Sequence, residues 1–319
     1  VGLAEAAVAA AVAGLLVGSP AAAQPTGPVT DVGPVAPDEL HVMSFNLRFA
    51  SSTPPNSWPE RRPVMRKLLR DERPDIIGTQ EGLFEQLRDI QADLPSYYDS
   101  LGQGRDGGSE GEAMQIFYDS RRLDVLEYNH YWLSDTPDVV GSKTWGGCCP
   151  RMVTWIRFLD TRTEMEFYLA NTHFEAFDAD ARRMSAELMM ARMDEEFDPD
   201  LPVIVTGDFN APAGAGQTVF DLLVTDGPLA DTWQEAAARS ALYATFHGYR
   251  PLVPDGDRID WILTSPEVTT RVAFINTYQQ KGQFPSDHLP VQAVLRLPGT
   301  PGLLGLVGWV GGLDPPPGG

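Results

Sequence analysis

"MVTWIRFLDTRTEMEFYLANTHF", residues 152–174, is the stretch on which the fold turns. Two runs rich in β-branched and aromatic residues are separated by the polar stretch "DTRTE". Runs of this kind around a short polar break read as two antiparallel strands joined by a turn. Hairpins of such length do not suit a doubly wound parallel sheet, where a helix separates successive strands.

Working outward, the same kind of segment recurs on both sides. "LHVMSFNLRF" is a buried strand ending near Asn46, "DIIGTQE" a second ending at Glu81, and "LPVIVTGDFN" a third. "MQIFYDSRRLDVLEYNHYWLS" reads as two strands around a turn at Asp119–Arg122. "DRIDWILTS", "TRVAFINTY" and "VQAVLRL" close the pattern. Helices stand between them. In "SWPERRPVMRKLLRDERP", Ser57 and Glu60 make a capping box and Pro59 sits in the first turn. "LFEQLRDIQADL" puts Leu83, Leu87, Ile90 and Leu94 on one face, and "ADARRMSAELMMARMDEEF" is a long amphipathic helix. Hairpins with helices between them imply an α/β fold of two mixed β-sheets packed face to face, with helices on the outside.

The apolar strands run straight into polar side chains. "HVMSFN" ends at Asn46, "DIIGTQE" at Glu81, "FYLANTH" at His173, and "PVIVTGDFN" at Asp208 and Asn210; "DRID" carries Asp260, and "FPSDH" carries Asp287 and His288. Any one of these reads as a cap or a turn residue. So many in one domain point to a shared site. Carboxylate and amide oxygens are hard ligands suited to Mg²⁺ or Mn²⁺, and two histidines can exchange protons near neutral pH. There is no G-x-S-x-G, no catalytic-cysteine signature and no H-E-x-x-H. Metal-assisted attack of water on a phosphate ester fits this inventory.

In "SFNLR", "IIGTQE", "NTHF", "TGDFN", "RIDWIL" and "SDHLPV", taken in that order, the chain resembles the endonuclease/exonuclease/phosphatase superfamily of deoxyribonuclease I-like hydrolases, in its exported bacterial branch. The resemblance runs from about Leu40 to Leu297 and implies a four-layer α/β sandwich. It also implies roles. Glu81 would be the principal metal ligand, with Asn46 beside it and Asp287 helping directly or through water. Asp208 would touch the metal and position or deprotonate the attacking water. Asn210 would hold a phosphate oxygen, and His173 would bind the phosphate and protonate the leaving oxygen. Asp260 would orient a histidine, taken as His173, and His288 would act as general base or transition-state stabiliser. AP endonucleases carry an acid where this chain has Arg48, which argues against abasic-site repair.

Several side chains near these segments have two readings. Arg151 follows Pro150 and precedes a strand, so its fork could meet a phosphate oxygen; a surface ion pair is the alternative. Arg105, Glu112 and Arg182 stand near the same segments, with Glu112 and Arg182 read as surface ion pairs. Trp58, Trp145 and Phe174 could form a stacking platform but read better as core. His41, His130 and His247 read as structural, His247 in a loop on the substrate side. Cys148 and Cys149 are adjacent and read as two free thiols at least as readily as a disulfide.

The chain of 319 residues carries a formal charge of −20. That surface repels phosphate polymers and argues against a passive DNA-binding module. Residues 1–23, with an apolar run from Ala6 to Gly18 and Ala21-Ala22-Ala23 before Gln24, read as a secretory signal peptide, so the protein is expected outside the cell or in a periplasm. Residues 24–38 are expected to be a disordered leader, 39–298 the catalytic domain, and 299–319 a Pro/Gly-rich tail. The expected function is an exported, divalent-metal-dependent phosphodiesterase or phosphatase acting on a small-molecule or nucleic-acid phosphoester. An extracellular nuclease is one alternative and a catalytically inactive ligand-binding member another. No stable protein partner is evident, and membrane association is not expected.

Overall fold

The computed structural model describes residues 27–299. The signal-peptide reading and, apart from residue 299, the tail reading fall outside these residues. Within them lie two mixed sheets. The first holds seven strands: β1 (Leu40–Asn46), β2 (Ile76–Gln80), β3 (Tyr98–Leu101), β4 (Ile116–Asp119), β10 (Ala238–Arg239), β12 (Thr269–Ile275) and β13 (Val291–Arg296), in the order β10-β12-β13-β1-β2-β4-β3. The second holds six: β5 (Leu123–Trp132), β6 (Met152–Asp160), β7 (Met165–His173), β8 (Val203–Asp208), β9 (Ala230–Asp231) and β11 (Asp260–Thr264), in the order β5-β6-β7-β8-β11-β9. The β6–β7 hairpin forms as the sequence implies, with Val153 opposite Thr172. The turn at Asp119–Arg122 does something else: it carries the chain from the first sheet to the second. The short strands β3, β9 and β10 had no clear sequence signal.

Helices α1 (Trp58–Glu72) and α2 (Phe84–Asp93) cover the first sheet, and α3 (Ala179–Glu196) covers the second. Met43, Phe45 and Ile77 pack outward with Met65, Leu68 and Ile90 of the helices. Trp155, Ala170, Val205 and Trp261 pack outward around Ala186 and Met189 of α3. Leu40, Val42 and Ile76 meet Ile156, Leu169, Ile204 and Ile262 between the sheets. The result is a four-layer sandwich.

Because side chains alternate along a strand, each inward row can be followed toward the end of its strand. On β1, β2, β7 and β8 that row turns from apolar to polar. Leu40 and Val42 are followed by Ser44 and Asn46; Ile76 by Gly78 and Gln80; Phe167 and Leu169 by Asn171 and His173; Ile204 by Thr206 and Asp208. The polar half is bonded across the sheets. Gln80 Nε2 donates to Asn171 Oδ1 at 2.8 Å, Thr206 Oγ1 donates to the same oxygen at 3.0 Å, and Asn171 Nδ2 donates to the Thr79 carbonyl at 2.8 Å. Gly78 permits this close approach, since a Cβ there would lie 2.1 Å from Thr206 Oγ1.

Residues 27–38 correct the expectation of a disordered leader. Val29, Val32 and Val35 pack against Val272, Phe274 and Val294 at the edge of the first sheet. Arg271 Nη2 donates to the Pro34 carbonyl at 3.0 Å, and Val29 N donates to the Arg239 carbonyl at 2.8 Å. The apolar valines among the prolines supply the reason. No helix among the described residues is long and apolar enough to cross a membrane.

Candidate active site

The polar ends of the inward rows meet at one end of the sandwich. Parallel pairing of β7 and β8 sets His173 opposite Asp208, and antiparallel pairing of β8 and β11 sets Asp260 opposite Asp208. Asn46 ends β1 beside Gln80, one residue before Glu81. Asp208 Oδ2 is the hub: Asn46 Nδ2 lies 2.9 Å away, His173 Nε2 3.4 Å and His288 Nε2 3.8 Å. The same Asn46 Nδ2 donates to Glu81 Oε1 at 2.9 Å. Asn210 N donates to Asp208 Oδ1 at 2.9 Å, and Asn210 Nδ2 lies 3.0 Å from the Phe174 carbonyl and 3.1 Å from His173 Nε2. Asn46, Glu81, His173, Asp208, Asn210, Asp260 and His288 are thus one constellation.

One expectation needs correcting. Asp260 orients His288, not His173: its Oδ2 lies 2.9 Å from His288 Nδ1. Asp260 is held for this by the Thr245 hydroxyl, which accepts from its backbone N–H at 3.2 Å. His173 has no carboxylate on Nδ1, which is buried without a partner. Asn46 turns its amide nitrogen toward Glu81 and Asp208, and its oxygen accepts from Arg48 N at 2.9 Å. In this arrangement Asn46 spaces the two carboxylates.

Asp287 stands apart from the hub. It lines a cavity together with Glu81, 3.8 Å from Arg48 Nη1. Arg151 is buried rather than paired on the surface. Its Nε donates to Glu175 Oε2 at 3.2 Å, and its Nη1 is sealed without a partner. Cys148 and Cys149 are joined as a disulfide, which settles the open reading against free thiols. Arg182 donates to the carbonyls of Glu175 and Ala176 instead of forming an ion pair, whereas Glu112 does pair, with Arg105 at 2.6 Å. Trp58 and Phe174 belong to the core. Trp145 is half-buried, its Nε1 bonded to Asp135 Oδ1. His41 bonds Gln292 and His130 bonds Thr154, both away from the hub.

The electrostatics follow from burial and neighbours. Burial and the adjacent Asp260 raise the Asp208 carboxyl to about 7, although His288 and Asn46 pull it down. Burial works against protonation of His288, but Asp260, Asp208 and Asp287 outweigh it and raise the imidazole to about 10. Burial, helped by Arg151, His288 and Arg105, drives His173 well below its ordinary value. One histidine is therefore held charged and the other neutral.

Sequence reading missed Arg61. Fully buried at the start of α1, it donates to the carbonyls of Leu47, Arg48, Phe49, Asn56 and Pro285. One guanidinium so ties the loop after β1 to the loop that carries Asp287 and His288. Nothing distinguishes it from Arg62 in the sequence. Equally unannounced is the left-handed backbone of Arg48, Glu81 and Asn210, with φ of 52°, 63° and 48°. Such positions are costly for residues with a Cβ and cluster where side chains must be aimed.

The chain matches the model of the Endonuclease/Exonuclease/phosphatase family over residues 43–288, and it belongs to that family. It is an enzyme of the phosphoester-hydrolysing class. An endonuclease/exonuclease/phosphatase family protein from Bacteroides thetaiotaomicron is 35% identical, with a TM-score of 0.75 over 81% of this chain and 97% of that one. The mannosyl-6-phosphatase of Bacteroides thetaiotaomicron is 35% identical, with a TM-score of 0.74 over 80% of this chain and 99% of that one. An uncharacterized protein, L388, of Acanthamoeba polyphaga mimivirus is 31% identical over 48% of this chain and 59% of its own length.

The donor set fits a hard cation. Glu81, His173 and Asp208 each offer a ligand atom within 4.8 Å of the others, and Asp208, Asp260 and His288 do likewise. Three carboxylates face one imidazolium, so the cluster is anionic even with His288 charged. Buried anionic clusters of this kind are stable when a cation completes them.

Proposed function

We propose that the protein is a divalent-metal-dependent phosphomonoester hydrolase acting on a small molecule. The observation that carries this is the hub itself: one carboxylate oxygen, on Asp208, touched by an amide, a neutral imidazole and a charged imidazole. Glu81 and Asp208 would hold Mg²⁺ or Mn²⁺, with Asp287 and His173 at its margin. The cation would supply charge for the phosphate oxygens.

Asp208, at the centre of the hub, positions the attacking water and takes its proton. His288, oriented and favoured as imidazolium by Asp260, stabilises the phosphate's developing charge or protonates the leaving oxygen. Neutral His173 donates to the phosphate, and Asn210 fixes a phosphate oxygen. The charge of Arg151, close enough to act on His173, suits a monoester dianion, which carries more charge than a diester. The mannosyl-6-phosphatase likeness and the net charge of −20 both favour a small substrate over a nucleic acid.

p-Nitrophenyl phosphate and bis-p-nitrophenyl phosphate, each with Mn²⁺, Mg²⁺ or EDTA, test this. Turnover should need the cation and favour the monoester. Turnover surviving EDTA removes the metal, and a preference for the diester removes the phosphatase. The proposal extends to export, supported by residues 1–23 alone. A mature N-terminus at Gln24 in the secreted protein is the expected mass-spectrometric result, and a mature form that retains those residues contradicts it.

A further inference from the structure

A cavity of about 610 Å³ opens beside the hub, with Glu81 and Asp287 in its wall. Phosphate held by the hub would leave its organic part facing this space. Arg48, Phe246, His247 and Tyr249 complete much of the remaining wall.

Phe246 is 51% exposed, with its ring in the cavity wall. Its ring centroid lies 4.9 Å from that of His288, and the two residues form a β-bridge. An apolar face is therefore fixed by backbone pairing next to a reacting group. Arg48 lies 4.8 Å over the ring of Tyr249 and 3.8 Å from Asp287. Its left-handed backbone is clamped through its carbonyl by Arg61 and by Gln86, at 3.1 and 2.9 Å. The hydroxyl of Tyr249 is buried, with the Arg48 guanidinium against its oxygen. Arg48 beside it can only donate, so the hydroxyl proton has no acceptor. A buried unsatisfied hydroxyl costs roughly 1–3 kcal/mol unless a ligand satisfies it.

We propose that this cavity is the leaving-group subsite and that it takes a polyhydroxylated ring, a hexose bearing the phosphate. The inference rests on the phosphomonoesterase reading above. A pyranose has a C–H face to lie on Phe246 and hydroxyls that both donate and accept. Those hydroxyls match a wall holding a donor (Arg48), an acceptor (Asp287) and a hydroxyl that needs an acceptor (Tyr249).

The test compares kcat/KM for a hexose 6-phosphate, a 5′-nucleoside monophosphate and p-nitrophenyl phosphate, using the full chain with Mn²⁺. Wild type should prefer the hexose ester. Tyr249→Phe, which removes one oxygen, should lower the ratio of hexose-ester to p-nitrophenyl-ester kcat/KM by roughly fivefold to tenfold. Phe246→Ala should lower the same ratio. Equal losses on both esters, or a wild-type preference for the nucleotide, overturn the subsite while leaving the phosphatase standing. A wild-type enzyme that hydrolyses diesters and none of these three monoesters overturns the underlying reading instead.

Discussion

Two clusters of buried charge occupy opposite ends of the same sandwich. At the end where β1, β2 and β7 begin, Arg122 is 1% exposed. Its fork grips Asp160 with Nε and Nη2 at 3.1 and 2.7 Å, while Nη1 meets Asp75 at 3.0 Å and the Glu39 carbonyl at 2.6 Å. Its donors meet two carboxylates and a carbonyl, so a guanidinium stands between the anions. At the other end Glu81, Asp208 and Asp260 face an amide and two imidazoles, with no arginine between them. Both clusters are buried and hydrogen-bonded. The second carries the larger excess of negative charge. A balanced buried cluster closes a fold; an unbalanced one is completed by something that binds.

The largest expected effect falls on the unbalanced end. His173→Ala and His288→Ala should each lower kcat by about 10²–10⁴-fold. The losses should not add, because both side chains serve one transition state. Circular dichroism should show intact folds, and His130→Ala, far from the hub, should keep its turnover. A folded His288→Ala enzyme with wild-type kcat would erase the distinction between the two ends.

At the balanced end the effect should fall on stability. Arg122→Met leaves Asp160 and Asp75 buried without their cation and should cost about 3–5 kcal/mol in urea unfolding. The folded fraction should retain its kcat. A loss under about 1 kcal/mol would show that this cluster is not structural.

A divalent cation should sharpen the contrast. Adding it at 100 times its Kd should stabilise the protein by about 2.7 kcal/mol, visible as a higher Tm. Glu81→Gln should remove most of that shift, and Arg122→Met should keep it. An unchanged shift in Glu81→Gln would move the cation elsewhere.

The smallest effect concerns pH and involves neither cluster. Burial lowers His130 to about 4, and burial also lowers His41 despite its bond to Gln292. Below their ordinary value of 6.5 the unfolded chain takes up protons that the folded chain refuses. Stability is therefore full above pH 6.5 and falls as the pH drops from 6.5 toward 4. His130→Gln should flatten that decline in urea midpoints measured across the window. An identical slope in the variant would contradict the assignment.

Much of this was legible in the chain. The hairpin at 152–174 excluded a parallel sheet. Apolar runs that break into polar side chains placed Asn46, Glu81, His173, Asp208 and Asp260 at strand ends, and their oxygen-rich chemistry named the class of reaction. These are local properties: alternation and turn residues are set by neighbours a few positions away. The structure alone decided which groups meet. Asp260 pairs with His288 rather than His173 because the loop at 284–290 reaches β11 while Nδ1 of His173 faces away from it. Arg61 and Arg62 are adjacent and alike in sequence, yet helix phase buries one among five carbonyls and leaves the other half-exposed. The Tyr249 hydroxyl and the Phe246 face matter only because Arg48 and His288, about 200 and 40 residues distant in the chain, are brought against them. Contacts of that separation depend on strand register and on how two sheets pack, and no local pattern encodes them.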